Sequence, residues 1–199
     1  LVERLLCKQD VSGSSPLFSI YLIINMERIK SVNCYTALKE KSSVVADYCQ
    51  KIIENINVVW YPYIGWDVNL VPREVVLEEP VLAKINEQFT INRAAVLMSE
   101  PYQNYEWHTD QYRGVCINML LSYDHTSHCL FGTRKNETNV YFHELKYEPS
   151  TFYLFNNQFP HSVINFDKPR YLFSLEFADT ADNLLYPEIY KWVKHENLI

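Results

Sequence analysis

Glycine is scarce in this sequence, with only 4 glycines among 199 residues. Loops that cradle phosphate groups with backbone N–H donors need several glycines close together. Neither a GxGxxG motif nor a Walker-type motif is present. The scarcity of glycine therefore argues against nucleotide chemistry.

Basic residues and long apolar runs are also limited. The chain has 18 Lys and Arg against 24 Asp and Glu, which gives a formal net charge of −6. No run of Lys or Arg forms the basic stripe that is typical of nucleic-acid binders. The apolar stretch at residues 17–24, which Ser19 interrupts, is too short to span a bilayer. We expect neither a nucleic-acid partner nor a membrane, and the oligomeric state stays open.

The five cysteines are widely spaced, and none forms a CxxC pair. They are Cys7, Cys34, Cys49, Cys116 and Cys129. An odd number at such spacing argues against a disulfide framework and against a structural zinc site. This usage of cysteine fits the reducing cytoplasm, which is the expected location.

The first 25 residues differ from the rest of the chain. Glu3 and Asp10 cancel the charges of Arg4 and Lys8, and no small-x-small cleavage site follows the apolar stretch. These features do not fit a signal peptide. We expect residues 1–25 to be a non-native or disordered extension before a start at Met26. Residues 26–199 are expected to form one domain, which suits their length.

Aromatic residues are abundant, with 15 Tyr and 10 Phe, and such residues favour sheets. Helical spacing of apolar residues predicts a helix over residues 37–56. An aromatic stretch at residues 57–72 predicts a hairpin with Gly65 in its turn. A second helix is predicted from Glu79 to about Phe89 with Pro80 at its first position, and a last helix spans residues 186–195.

Eight short runs of β type follow one another in the second half of the chain. They span residues 94–98, 103–107, 115–122, 128–132, 138–146, 151–156, 161–165 and 171–177, with turn residues between them. This succession of short strands and turns predicts a mainly β fold with flanking helices. We expect a jelly roll of the double-stranded β-helix type, in which two sheets face each other, with its core at about residues 92–178.

Three side chains in these runs could converge on one metal ion. His108 and Asp110 follow a predicted strand, and alternation places positions i and i+2 on one face. His161 opens another predicted strand, which a jelly roll can bring beside the first. Two imidazoles and one carboxylate that leave further positions open form the facial triad of non-haem Fe(II) oxygenases. Arg170 enters the last strand nine residues after His161, and its planar fork suits a carboxylate.

The run from about residue 92 to residue 177 resembles the core of the Fe(II)/2-oxoglutarate-dependent oxygenases. The motifs HTD, PHSVIN and PRYLFSLEF carry this resemblance, in that order. The segment LFNNQFPHSVINFDKPRYLFSLEF is most similar to the aspartyl/asparaginyl β-hydroxylase-like and prolyl-hydroxylase-like branches. Aspartyl β-hydroxylases lack the carboxylate of the triad, whereas this sequence has Asp110.

The resemblance implies a role for each of these residues. His108, Asp110 and His161 would bind Fe(II), and Arg170 would pair with the distal carboxylate of the cosubstrate 2-oxoglutarate. Reaction with O2 would release succinate and carbon dioxide and would hydroxylate a small molecule or a protein side chain.

Three further residues are candidates for polar roles near the cosubstrate. Asn118 alternates with apolar neighbours on a predicted strand and is expected to contact the cosubstrate, as is Tyr153. Arg113 could meet cosubstrate or substrate at the mouth of the barrel, although a structural role is favoured for it.

Three alternatives remain open. A cupin-like module could bind a metal or a sugar without 2-oxoglutarate chemistry, because the jelly roll hosts both kinds of protein. An iron or zinc cupin enzyme could act without 2-oxoglutarate. A structural β-sandwich would bind no metal. Arg170 discriminates, because a simple binding module has no need of a buried cation nine residues after the second histidine.

Overall fold

The computed structural model describes residues 30–122, 126–134, 136 and 139–199. The extension expected at residues 1–25 lies outside this part of the chain and stays a prediction. The helices among the described residues are α1 (Ser31–Cys34), α2 (Val44–Glu54), α3 (Arg73–Glu78), α4 (Pro80–Gln88) and α5 (Tyr186–His195). The strands are β1 (Tyr35–Lys41), β2 (Tyr61–Tyr63), β3 (Trp66–Val71), β4 (Ile91–Ser99), β5 (Asn104–His108), β6 (Val115–Leu120), β7 (His128–Arg134), β8 (Val140–Leu145), β9 (Thr151–Asn156), β10 (His161–Ile164) and β11 (Arg170–Phe177).

The strands form two sheets in which every paired strand is antiparallel to its neighbour. The larger sheet has the order β1-β9-β6-β11-β4-β3-β2, and the smaller sheet has the order β5-β10-β7-β8. Each of the eight predicted strands is present as β4 to β11. The predicted mainly β architecture with two facing sheets is confirmed. In the part of the chain that the structure describes, no helix is both long and apolar enough to cross a membrane.

Alternation along the central strands of the larger sheet builds two separate cores. In β6, the side chains of Val115, Ile117 and Met119 join the core beneath the helices. Cys116, between them, belongs to the interior shared with the smaller sheet. Because the period of a strand is two residues, one strand can serve both cores. The functional candidates lie in the second core, between the sheets.

The helix predicted over residues 37–56 is wrong in its first part. Residues 35–41 form β1, in which Tyr35 pairs with Phe155 and Ala37 pairs with Tyr153 of β9. The helix α2 begins only at Val44. Pairing with a strand more than 100 residues away decides the structure of this segment, and such a partner leaves no local pattern in the sequence.

The start of α2 is fixed from outside the helix by the carboxylate of Glu79. This buried group accepts hydrogen bonds from Ser42 Oγ at 2.9 Å and from the backbone N–H of Val45 at 3.0 Å. The first N–H groups of a helix have no partner within the helix, so a carboxylate stabilises them. Glu79 was predicted only as the residue before Pro80, which does open α4 as expected.

The predicted aromatic hairpin is confirmed as β2 and β3. Its two turn residues have positive φ, 45° at Ile64 and 76° at Gly65, as the favoured two-residue hairpin turn requires. The ring of Trp66 packs against Tyr105 of β5 with 5.7 Å between ring centroids. The hairpin is thereby held beside the strand that leads to His108.

Candidate metal centre

The two candidate histidines lie side by side on neighbouring strands. In the pairing of β5 with β10, His108 is directly opposite His161. Asp110 Oδ1 lies 3.4 Å from His108 Nε2 and 4.0 Å from His161 Nε2. The potential ligand atoms of all three residues lie within 4.8 Å of one another. The convergence predicted from the sequence is therefore present.

Backbone carbonyls orient both imidazole rings. His108 Nδ1 lies 2.6 Å from the carbonyl oxygen of Glu106, and His161 Nδ1 lies 2.9 Å from that of Phe159. A carbonyl oxygen can only accept, so each Nδ1 carries the proton and donates it. Each Nε2 is then left with a free lone pair, which is the tautomer that binds metals through Nε2.

The electrostatic environment keeps His161 and Asp110 in the protonation states that bind metal. Burial and the neighbouring His108 lower the pKa of His161 to about 4, against opposing contributions from the Phe159 carbonyl and Asp110. Burial raises the pKa of Asp110, but the neighbouring His108 and the charge of Arg113 outweigh burial and lower the pKa to about 2. At neutral pH, His161 is uncharged and Asp110 is a carboxylate.

The second oxygen of Asp110 is fully occupied by donors. Arg113 contacts Oδ2 through Nε at 2.8 Å and through Nη2 at 2.6 Å. Asn157 Nδ2 donates to the same oxygen at 2.7 Å. Oδ1 is thus left for a metal. Asn157 was not predicted from the sequence, although it lies in the amide-rich run NNQ, which ends three residues before His161 and is a usable signal.

Arg170 is buried, and no acidic side chain in the part of the chain that the structure describes pairs with it. Its side chain starts β11, and the residue is 1% exposed. Its Nη1 has no hydrogen-bond partner, and no carboxylate of the described residues forms an ion pair with it. Buried charges in proteins are normally paired, because an uncompensated one costs several kcal/mol. The guanidinium is therefore ready to bind an anion.

Tyr147 supplies a second free polar group beside Arg170. The Arg170 guanidinium lies 5.9 Å from the centroid of the Tyr147 ring. The Tyr147 hydroxyl is buried next to the Cys129 thiol and forms no hydrogen bond with an oxygen or nitrogen atom of the described residues. Burial raises its pKa well above the ordinary value, so the hydroxyl stays protonated and can donate. No local pattern in the sequence singles out Tyr147.

Asn118 and Tyr153 face the same interior but differ in their contacts. In the sheet, Asn118 pairs with Ser174 on one side and with Tyr153 on the other. The side-chain oxygen of Asn118 is buried and has no hydrogen-bond partner within the described ranges. The Tyr153 hydroxyl instead accepts from the N–H of Glu148 at 3.0 Å. A cosubstrate contact by Tyr153 stays a prediction, and Tyr147 has the hydroxyl that is better placed for one.

Aromatic rings of the core between the sheets connect the triad with Tyr147. The ring of His161 packs against Phe155 at 4.9 Å and against Phe131 at 5.9 Å between centroids. Both phenylalanines belong to the apolar cluster that also contains Cys129, and Tyr147 packs against this cluster. Apolar walls between a metal site and a buried cation exclude water and strengthen electrostatic interactions.

The fold is shared with solved structures of oxygenases. A prolyl-4-hydroxylase from Pseudomonas putida superposes with a TM-score of 0.56, at 11% identity, over 73% of this chain and 92% of that chain. An oxidoreductase of the 2OG-Fe(II) oxygenase family from Burkholderia pseudomallei has a TM-score of 0.53, at 10% identity, over 77% and 87% of the two chains. A viral collagen prolyl hydroxylase from Paramecium bursaria Chlorella virus-1, solved with 2-oxoglutarate, has a TM-score of 0.50, at 12% identity, over 72% and 94%.

These similarities establish the double-stranded β-helix fold, which confirms the expected fold class. No family model matches the sequence. No curated protein matches it either. The chemistry of this chain must therefore be argued from its own residues.

Proposed function

We propose that this protein is an iron(II)- and 2-oxoglutarate-dependent oxygenase that hydroxylates a small molecule or a protein side chain. The observation that carries the proposal is the combination of the His108, Asp110 and His161 cluster with the buried guanidinium of Arg170, whose Nη1 has no partner among the described residues. A site with two imidazoles and one carboxylate suits ferrous iron and leaves positions for other ligands. The guanidinium of Arg170 supplies the positive charge that would bind a carboxylate of 2-oxoglutarate.

The triad and Arg170 offer the donor atoms and the positive charge that iron(II) and 2-oxoglutarate require. His108 and His161 would each bind iron through Nε2, and Asp110 would bind it through Oδ1. Arg170 would hold the distal carboxylate of 2-oxoglutarate, to which Tyr147 would donate a further hydrogen bond. Charge-assisted hydrogen bonds of this kind are about twice as strong as neutral ones.

Asn118 would contribute a polar contact from the neighbouring strand β6. Once bound, iron and 2-oxoglutarate would supply the oxygen chemistry that releases succinate and carbon dioxide. The protein positions these groups and keeps water away from them, chiefly through the rings of Phe131 and Phe155.

We also propose a cellular location and the kinds of partner for this protein. We place the protein in the cytoplasm, which the free thiols of Cys34, Cys49, Cys116 and Cys129 support. The net charge of −6 supports a substrate other than a nucleic acid, and no membrane partner is proposed.

The proposal is tested by adding Fe(II) and then 2-oxoglutarate to the metal-free protein under anaerobic conditions. Binding of the cosubstrate to the iron should produce a weak charge-transfer band in the visible range. Admission of oxygen should then release succinate. His161→Ala should abolish the band, and Arg170→Met should weaken it by lowering the affinity for 2-oxoglutarate.

Two matched controls test whether these effects are specific. His128→Ala removes a histidine that pairs with Glu144 at 2.6 Å outside the triad. Arg93→Met removes an arginine that pairs with Glu176 at 2.6 Å. Both variants should keep the band. Wild-type protein that binds iron but does not respond to 2-oxoglutarate would instead support a cupin-like metal-binding module.

A further inference from the structure

We propose that Arg113, assisted by Asn157, is a positioning residue that restricts Asp110 to binding the metal through one oxygen. The inference rests on the proposed metal site and extends it, because it assigns a task to a side chain outside the three proposed ligands. Its basis is the asymmetry between the two carboxylate oxygens of Asp110.

One oxygen of this carboxylate is saturated with donors. Oδ2 receives two N–H groups of the Arg113 fork, at 2.8 and 2.6 Å, and one N–H of Asn157 at 2.7 Å. A carboxylate has about four lone-pair sites on its two oxygens, so three donors leave no capacity on Oδ2. Oδ1 points toward the Nε2 atoms of His108 and His161. A metal can therefore bind through Oδ1 alone, unless Oδ2 gives up its hydrogen bonds.

The backbone of the same segment is clamped to the loop before His161. Gln158 Nε2 donates to the carbonyl oxygens of Asp110 and Arg113, both at 2.8 Å. The N–H of Asp110 donates to the carbonyl oxygen of Asn157 at 3.0 Å. These bonds hold the carboxylate, its arginine and the loop as one unit. The clamp thereby fixes the position of Asp110 relative to His161.

The consequence concerns the number of open positions on the metal. A carboxylate that binds through one oxygen leaves three of six positions for a cosubstrate with two ligand atoms and for oxygen. A carboxylate that binds through both oxygens would take one of these positions. The Asp110 side chain is 11% exposed and that of Arg113 is 39% exposed, so the guanidinium reaches the carboxylate from the solvent side.

The test uses Co²⁺ as a spectroscopic probe that needs neither oxygen nor 2-oxoglutarate. The metal-free proteins are titrated with Co²⁺ while the visible absorption is recorded. Arg113→Leu should weaken Co²⁺ binding roughly 10- to 100-fold, which is typical for loss of a partner that orients a ligand. Its visible bands should change in position and intensity, because the freed Oδ2 enters the coordination shell. Arg113→Lys, which keeps the charge but loses the fork, should give an intermediate result.

Controls separate this inference from general damage and from the proposed function. Arg93→Leu removes the comparable exposed pair with Glu176 and should leave both affinity and spectrum unchanged. If Arg113→Leu does not fold, Asn157→Ala removes one donor from Oδ2 and should shift the spectrum in the same direction by a smaller amount.

Two outcomes would overturn the inference. Folded Arg113→Leu that binds Co²⁺ with the affinity and spectrum of the wild type would contradict the positioning role and leave the proposed function intact. Wild-type protein that binds no Co²⁺ at the triad would remove the proposed function as well.

Discussion

Replacing Arg170 with methionine should stabilise the metal-free protein and remove most of its response to 2-oxoglutarate. Arg170 is 1% exposed, and its Nη1 has no partner. The cation–π contact with the ring of Tyr147 stabilises the guanidinium by about 0.5–2 kcal/mol. This is less than the cost of several kcal/mol for burying a charge without a counter-ion. An apolar side chain of similar volume should therefore raise the free energy of unfolding by about 1–4 kcal/mol.

Arg170→Met should at the same time reduce the stabilisation of the protein by bound 2-oxoglutarate. At 100 times its Kd, 2-oxoglutarate should stabilise the wild type by about 2.7 kcal/mol. For a domain of this size that is a rise in Tm of about 5–11 °C. Losing hydrogen bonds to a charged group costs about 1.5–3 kcal/mol, so the same ligand concentration should stabilise Arg170→Met by only about 0.3–1.3 kcal/mol.

The stability of the ligand-free protein and its stabilisation by 2-oxoglutarate are both measured in one set of urea and thermal unfolding curves. The curves are recorded without metal and then with Mn²⁺ and 2-oxoglutarate. Arg170→Met that is less stable than the wild type without ligand, yet keeps the full shift with 2-oxoglutarate, would refute the reasoning. In that case the guanidinium would be a structural group rather than an anion site.

Three further predictions concern pH, a helix cap and a close contact. Metal-free protein should lose about 3 kcal/mol of stability as the pH falls from about 6.5 to about 4, because the unfolded chain protonates His161 at its ordinary pKa while the folded protein keeps it neutral down to about 4. His161→Gln should flatten this slope in urea unfolding curves. Glu79→Gln should lower the free energy of unfolding by about 1–3 kcal/mol, because a charged acceptor for the start of α2 is lost, and the exposed control Glu87→Gln should have little effect. Gly132→Ala should cost about 1–3 kcal/mol and change the tryptophan fluorescence, because its Cβ would lie 2.7 Å from Trp107.

Each of these predictions can fail separately. A pH dependence that persists in His161→Gln would mean that another group is responsible for it. Equal stabilities of Glu79→Gln and Glu87→Gln would show that the cap contributes nothing. Unchanged fluorescence and stability in Gly132→Ala would mean that the ring of Trp107 moves freely away from β7.

Much of the fold could be predicted because its signals are local. The eight short runs of β type became β4 to β11, and the positions of Gly65 and Pro80 indicated a turn and a helix start. The failure at residues 37–41 has a physical cause. The strand β1 is stabilised by pairing with β9, so its structure depends on residues that are distant in sequence.

Some residues of the candidate site could likewise be predicted from the sequence, and others could not. His108, Asp110, His161 and Arg170 could be predicted from residue type, order and spacing taken together, and the structure places the first three together and buries the fourth. Arg113 lies three residues after Asp110, so their ion pair is local in sequence, and only the placement of both guanidinium donors on Oδ2 depends on the fold. The position of Tyr147 beside Arg170 arises from tertiary packing and leaves no spacing signal.

The most direct measurement is a crystal structure of the protein with Mn²⁺ and 2-oxoglutarate, in which anomalous scattering locates the metal. The account predicts one metal bound by His108 Nε2, His161 Nε2 and Asp110 Oδ1, with a carboxylate of 2-oxoglutarate on Arg170. Metal bound elsewhere on the chain, or 2-oxoglutarate held without contact to Arg170, would contradict it.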